Sequence, residues 1–327
     1  MELIEVTSGL AELATVEKGC VLTIGNFDGV HIGHQHILNA AKQAATENQA
    51  QLVVMTFEPH PLAVLRPRQK PELLTSLALK KHLIAKADAD YLLLVKSTPE
   101  LLSLTPDEFV ERFISKGIQP GIVVEGESFN FGSGRDGNVH TLQQMGEESR
   151  FLVSIIEAKE VQFSSGQTIK ISSTLIRDML KKGSVSDAAL ALGRPYRLIG
   201  RIVPGRGIGK QLGFPTANMA PPDQLVPAEG VYAGFVKIAD SEQEVCAAKA
   251  VVPAALSIGR TQTLGADIPL LIEAHLLIDD VGELYDKWLA MDFIELIREQ
   301  RKFDTEKDLS DQITKDCEKT KAILGIS

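Results

Sequence analysis

Short apolar runs alternate with helix-like stretches from Val21 to Ile156, and no other feature of the chain restricts its fold as much. The runs VLTIG, LVVMTF, YLLLV, IVVEG and FLVSIIE have strand length, and QHILNAAKQAATE follows the first of them. This is the pattern of βαβ units wrapped around a parallel sheet, a Rossmann-like α/β fold. After Gly33, residues Ile37, Leu38, Ala41, Ala44 and Ala45 make one apolar helical face. The ten residues between strand and helix, GNFDGVHIGH, therefore form a strand-to-helix turn, the place where open α/β sheets bind ligands.

The character changes near residues 184–200. SDAALALGRPY reads as a short Ala/Leu-rich helix, and the runs YRLIGRIV, GVYAGFVKI, AAKAVV and LIEAHLLI then predict strands separated by Gly/Pro segments. Antiparallel pairing into a small β-barrel is expected, followed by C-terminal helices. Thr305 and Asp308 read as a capping pair there, and Leu309, Ile313 and Cys317 repeat at four-residue spacing as an apolar stripe. The 327 residues exceed one ordinary core. Two domains are expected, residues 1–186 and 187–327.

A net charge of −9 argues against nucleic acid or anionic membrane as a main partner. No apolar run approaches the roughly 20 residues needed to span a bilayer. The start, MELIEVTSGLAELATVEKG, lacks a basic segment leading into an apolar one, so a cytoplasmic place is expected. Cys20, Cys246 and Cys317 stand far apart with no CxxC pair, which fits buried thiols rather than a metal site.

In the first turn, Gly25, Gly29 and Gly33 let backbone come close to a ligand, and the free N–H groups of a helix start attract phosphate oxygens. His31 and His34 are three positions apart and can face one ligand. No Lys-Ser/Thr pair follows the glycines and no hydrolase nucleophile is present, so the chemistry indicated is phosphate stabilisation rather than covalent catalysis. A second segment, Ile171 to Arg177, reads as a strand end, a helix start capped by Ser173 or Thr174, and an arginine fork in the first turn.

GNFDGVHIGH and ISSTLIR together resemble the two signatures of the FAD synthetase module, a nucleotidyltransferase family whose HxGH and SSTxIR segments grip ATP. Phe57-Glu58-Pro59-His60-Pro61 resembles the family's FxPHP segment, and GESFNFGSGRDG, residues 126–137, resembles its glycine-rich segment. The resemblance implies attack of an FMN phosphate oxygen on the α-phosphorus of ATP, with Mg²⁺, releasing pyrophosphate. It gives His31, His34 and Arg177 the task of neutralising phosphoryl charge. It also places Gly25, Asn26, Phe27, Asp28, Gly29, Gly33, His60, Ser128, Gly132, Ser172, Ser173 and Thr174 around the nucleotide and flavin. Asp28 either orients the turn or helps hold the metal, and Ser128 stands where the family often has Asp or Asn.

The second glycine-rich cluster runs from Gly200 to Asn218. Its alternating glycines make a backbone flap in which Arg206 and Lys210 can meet phosphate, and Thr216 and Asn218 offer two neutral oxygens suited to Mg²⁺. The segment resembles the riboflavin kinase signature, with LGFPTAN at residues 212–218, PAEGVY at 227–232 and IEAHLL at 272–277. The resemblance implies Glu273 as the general base, Thr216 and Asn218 as metal ligands, and Gly205, Gly207, Lys210, Gly213, Pro215, Tyr232 and Arg298 beside ATP or flavin. The chain departs from the family at Ser257-Ile258-Gly259, at Gln262-Thr263-Leu264, and at Asp286, where glycine is usual.

The two halves stand in the order of the prokaryotic bifunctional riboflavin kinase/FAD synthetase family, over about Val21 to Leu324. The expectation is therefore riboflavin phosphorylation to FMN by the C-terminal domain and FMN adenylylation to FAD by the N-terminal domain, with riboflavin, FMN and ATP as partners. A homo-oligomer is left open. The alternatives are an FAD synthetase whose C-terminal domain binds flavin with little or no phosphorylation, a flavin-binding sensor without turnover, and another HxGH adenylyltransferase such as one acting on pantetheine phosphate, for which the LGFPTAN domain would have no use.

Overall fold

The computed structural model describes residues 1–6, 13, 15–205, 216–260, 270–278 and 284–326. Contacts group the chain into two units. One comprises Met1–Pro71, Lys80–Glu160 and Ile169–Ile171; the other comprises Glu72–Leu79, Val161–Thr168 and Ser172–Ser327.

The first unit holds strands β1 (Glu2–Val6), β2 (Val21–Ile24), β3 (Leu52–Glu58), β4 (Tyr91–Lys96), β5 (Ile122–Gly126), the short β6 (Asn130–Phe131) and β7 (Gly137–Asn138), and β8 (Leu152–Ile156). Six of these form one parallel sheet in the order β1-β4-β3-β2-β5-β8. Its helices are α1 (Ile32–Glu47), α2 (Pro61–Leu65), the part of α3 (Leu77–Ala85) from Lys80 onward, α4 (Pro99–Leu102), α5 (Pro106–Phe109), a π-helix at Val110–Ile118, and α6 (Val139–Ser149). Both sheet faces are covered, which is why the strands read as near-continuous apolar runs. Leu22, Ile24, Val53, Met55, Leu93 and Val95 pack on one face. Val21, Leu52, Val54 and Leu92 pack on the other, against Leu38, Ala41 and Ala45 of α1.

From β2 the chain steps outward to β3 and β4, then returns to the other side of β2 with β5 and β8. The order reverses between β2 and β5, so the GNFDGVHIGH turn leaves the sheet at its switch point. The β2–β5 ladder ends after Leu22↔Val123. Beyond it the Glu125 carboxylate oxygen accepts the Ile24 N–H at 2.5 Å. Burial pushes that carboxyl well above the usual carboxylate range.

Strands β9 (Glu160–Gln162) and β10 (Thr168–Lys170) precede helices α7 (Ser173–Lys181) and α8 (Val185–Leu192). The second unit then builds a closed antiparallel barrel from β11 (Tyr196–Val203), β12 (Thr216–Met219), β13 (Gly230–Ala239), β14 (Val252–Arg260), β15 (Leu270–Leu276) and β16 (Trp288–Glu299), in the order β11-β12-β15-β14-β13-β16. The AAKAVV run expected to be a strand is corrected: a helix capped by Ser241 runs over Glu242–Ala247, and β14 begins only at Val252. Among the described residues a single helix, Glu306–Leu324, follows the barrel. Thr305 accepts the Asp308 N–H at its start, as the capping pair predicts. Its stripe of Leu309, Ile313 and Cys317 packs on Ala255 and Leu277.

That helix is also tied by charge. Asp316 receives three hydrogen bonds from Arg298 of β16, at 3.0, 3.1 and 2.7 Å, and both side chains are largely buried. Removing one partner of such a pair strands the other charge. Asp316→Ala is expected to cost about 3 kcal/mol, read as a lower urea midpoint for the barrel's unfolding at unchanged slope.

Candidate active sites

In the first unit, β2 ends at Ile24 and α1 starts at Ile32, and the residues between them close into a tight turn. Phe27, Gly29 and Val30 have φ of 47°, 86° and 38°, and the Val30 N–H returns to the Phe27 carbonyl. His31 is the N-cap of α1. Its Nδ1 accepts the His34 backbone N–H at 3.3 Å, so a neutral His31 ring carries its proton on Nε2. The His31 and His34 rings stack at 3.6 Å, with Phe27 edge-on to His34 at 5.3 Å. A Cβ at Gly33 would stand 3.2 Å from the His31 ring, which accounts for the small residue between the histidines. Gly25 joins β2 to the turn through a hydrogen bond to the Met55 carbonyl, and the Asn26 carbonyl accepts the Thr56 hydroxyl.

His60 lies after the cis Glu58-Pro59 bond and caps α2 by accepting the Leu62 N–H. In the glycine-rich segment, Phe129 and Phe131 stack, Gly132 has φ of 74°, and Ser128 is exposed with its carbonyl accepting the Asn130 amide. The ISSTLIR segment opens α7. Here the cap is corrected: Ser172, not Ser173 or Thr174, accepts from the Leu175 N–H, because Ser172 still has the extended backbone a cap requires. Arg177 donates through Nε to the Glu72 carbonyl at 2.8 Å, and both residues group with the second unit.

In the barrel, period-two alternation buries Ala217, Met219, Ile272 and Ala274 and turns Thr216, Asn218, Glu273 and His275 to the opposite face. Register then brings chemistry together. Asn218 lies directly across from Glu273, Thr216 across from His275, and Ser257 across from Glu273 on the other side. The Thr216 hydroxyl and His275 Nδ1 are 3.1 Å apart. Burial pushes the His275 imidazole down to about 4, so it meets the hydroxyl as a neutral ring.

Gly205 ends the stretch after β11, and a Cβ there would fall 2.6 Å from Asn218 Cγ. Gly205→Ala should push the Asn218 amide aside. A displacement of this size costs about tenfold to a hundredfold in rate when a positioning group is moved, measurable as kcat/KM for riboflavin phosphorylation with adenylylation as the internal control.

Tyr232, expected beside ATP or flavin, stands in β13 of the barrel. It is fully buried, its hydroxyl donates to the Ala228 carbonyl, and Phe293 packs edge-on against its ring. Arg298 is committed to Asp316 and stacks over Phe303. Gly207, Lys210, Gly213 and Pro215, with Arg206 and Gln262-Thr263-Leu264, lie outside the described residues. Asp286 has φ of 64°, the left-handed backbone a glycine would favour, and Asp is among the side chains that tolerate it. Gln300 donates to the Ser257 hydroxyl at 3.0 Å.

The buried Lys80 and Glu125 and the half-buried His275 were not singled out from sequence. His275 was within reach, since it stands two residues after Glu273 and so shares its strand face. Lys80 gave no signal, because a helical lysine is ordinarily exposed. Among the described residues no cluster of three His, Cys, Asp or Glu residues is arranged to hold a metal, and no helix is long and apolar enough to cross a membrane.

Comparison with known proteins gives a match to the FAD synthetase family model over residues 13–175 and to the riboflavin kinase family model over residues 192–324. A bifunctional riboflavin kinase/FMN adenylyltransferase from Escherichia coli (strain K12) is 32% identical over 311 residues, covering 95% of this chain and 95% of that protein. One of the same description from Haemophilus influenzae is 33% identical over 317 residues, covering 97% and 98%. A solved structure described as a macrolide-efflux protein from Streptococcus pneumoniae superimposes with a TM-score of 0.81 at 28% identity, covering 97% of this chain and 99% of that one.

Proposed function

The chain belongs to the family of bifunctional riboflavin kinases/FMN adenylyltransferases, and on that premise we propose how its residues divide the two reactions. Both activities of the family are those of this chain: it phosphorylates riboflavin to FMN and adenylylates FMN to FAD, with ATP as co-substrate. Residues 1–186 are assigned to adenylylation and residues 187–327 to phosphorylation. The observation that carries the division is the presence of two separate polar constellations, the stacked His31/His34 pair at the start of α1 and the Asn218/Glu273 pair on the barrel.

For adenylylation, a phosphate oxygen of FMN attacks the α-phosphorus of ATP and the bond to pyrophosphate breaks. The α1 N-terminus, His31 Nε2, His34 and the Arg177 guanidinium offset the charge that grows on the phosphoryl oxygens. Gly25, Asn26, Phe27, Asp28, Gly29, Gly33, His60, Ser128, Gly132, Ser172, Ser173 and Thr174 are assigned to binding of the nucleotide and flavin.

For phosphorylation, Glu273 accepts the proton of the ribityl hydroxyl as its oxygen bonds to the γ-phosphorus and ADP leaves. Thr216 and Asn218 would hold Mg²⁺, and their neutral oxygens, one residue apart on a strand with Gly205 keeping space beside Asn218, fit a hard cation that retains water and phosphate ligands. When bound, the ion screens the phosphate charges of ATP. The neutral His275 ring orients the Thr216 hydroxyl. A cytoplasmic location belongs to the same reading, and the net charge of −9 supports small-molecule substrates over polyanions. The efflux in the name of the Streptococcus pneumoniae structure forms no part of it, since the matching motifs are those of the two enzyme families.

Product accounting tests the division. With riboflavin as the only flavin, each FAD formed should be accompanied by one ADP and one pyrophosphate; with FMN, by pyrophosphate alone. Pyrophosphate from FMN with no ADP from riboflavin would select the reading in which the barrel binds flavin without phosphorylating it.

A further inference from the structure

Two ligand-facing segments of the first unit begin one residue past the same hydrogen bond. GNFDGVHIGH starts at Gly25 and GESFNFGSGRDG at Gly126, and between the residues just before them the Ile24 N–H donates to the Glu125 carboxyl at 2.5 Å. The strands that deliver these segments have already parted there. β2 stays paired with β3 as far as Ile24, and β5 with β8 as far as Gly126, but the ladder between β2 and β5 ends at Leu22↔Val123. A side chain therefore supplies the acceptor that a neighbouring backbone would supply in a continued ladder, and it does so at the switch point of the sheet, where α/β folds bind ligands. Glu125 is 2% exposed, rare for a glutamate, and neither reaction as assigned above uses it. The two segments also meet through α1: a Cβ at Gly126 would fall 2.9 Å from Ile37.

We propose that Glu125 is a positioning residue for adenylyl transfer: its side chain is a strut of fixed length between the ends of β2 and β5, and it sets the separation of the GNFDGVHIGH turn from the glycine-rich segment. The inference rests on the reading of this turn as the adenylylation site. Phe27 and Val30 seat the turn in the core that also holds Leu38 of α1 and Val124 of β5. That packing is non-directional, whereas the hydrogen bond to Glu125 is directional and defines the spacing of the two strand ends. Burial favours the uncharged carboxyl, with the Ile24 N–H opposing, so the group works by its reach and its acceptor oxygen. An amide of the same length supplies both. A carboxyl one methylene shorter does not reach, and a shift of about 1 Å in a positioning segment costs about a hundredfold in rate.

The test is steady-state FMN adenylylation by the full chain, comparing wild type with Glu125→Asp and Glu125→Gln, and with His34→Ala as a marker of the site. Riboflavin phosphorylation and thermal unfolding are measured on each. Glu125→Asp keeps the acid and shortens the strut: kcat for adenylylation should fall about tenfold to a hundredfold, with riboflavin phosphorylation within about twofold. Glu125→Gln keeps the length and loses the acid, and it should stay within about threefold of wild-type kcat. Where Glu125→Asp does not fold, Glu125→Met, which keeps the length without an oxygen acceptor, takes its place and should be slowed by a similar factor. Wild-type kcat in the folded Asp or Met variant would overturn the proposal, even if its melting temperature falls. A Gln variant as slow as Asp would also overturn it, since the reaction would then need the proton or charge of the carboxyl rather than its reach. Wild-type FAD formation by His34→Ala would overturn the reading of the turn, and this inference with it.

Discussion

Glu273→Gln is expected to lower riboflavin phosphorylation by about a thousandfold, within the usual range for loss of a general base, while FMN adenylylation stays within about twofold. The amide keeps the volume and the hydrogen-bonding reach of the carboxylate but cannot take up a proton at neutral pH. Position makes the prediction sharp. Glu273 is central in β15, flanked by Asn218 of β12 and Ser257 of β14, on the strand face that also carries Thr216 and His275. A glutamine there leaves the strand pairing intact, so unfolding should be unchanged. Comparable loss of both activities would mean that the two reactions do not use separate constellations.

The second large effect is expected at His34. His34→Ala should reduce FAD formation from FMN by about a hundredfold to a thousandfold, the scale seen when one preorganised donor is removed from a developing negative charge. Riboflavin phosphorylation should be spared. The substitution also leaves His31 without its stacking partner and Phe27 without its edge contact, so part of the loss comes from a loosened turn. His34→Phe separates the two causes, because it restores ring packing without a donor. An equally slow Phe variant assigns the loss to the imidazole N–H; recovery would assign it to packing.

Much of this was legible in the chain. The parallel sheet followed from apolar runs buried on both faces, and the candidate ligand-binding turn from its place between Ile24 and Ile32. Edge strand β1 was not singled out from sequence: its Ile4 and Val6 are buried while Glu5 between them is exposed, but so short a strand acquires meaning only from its pairing with β4. Chain order alone could not show that Asn218 and Glu273 are cross-strand neighbours, because barrel register is a property of the closed sheet. The burial of Tyr232 was no more legible, because β13 is buried from Gly230 to Gly234 without alternation. Ser172 displaced Ser173 and Thr174 as the cap because adjacent hydroxyls are equivalent in sequence and only backbone geometry separates them.

Asp286 shows a departure that structure makes intelligible. The position needs a positive φ, and the chain meets that need with Asp in place of the usual glycine. The change carries a modest conformational cost and leaves the Thr216, Asn218 and Glu273 set intact. The barrel thus retains each group that the phosphoryl-transfer proposal requires.

The most direct measurement is a chromatographic time course of the purified chain with riboflavin, ATP and Mg²⁺, resolving riboflavin, FMN and FAD. The account predicts that FMN rises first and FAD follows after a lag, as the product of one site becomes the substrate of the other. Riboflavin that stays unconsumed, or FMN that accumulates without any conversion to FAD, would contradict it.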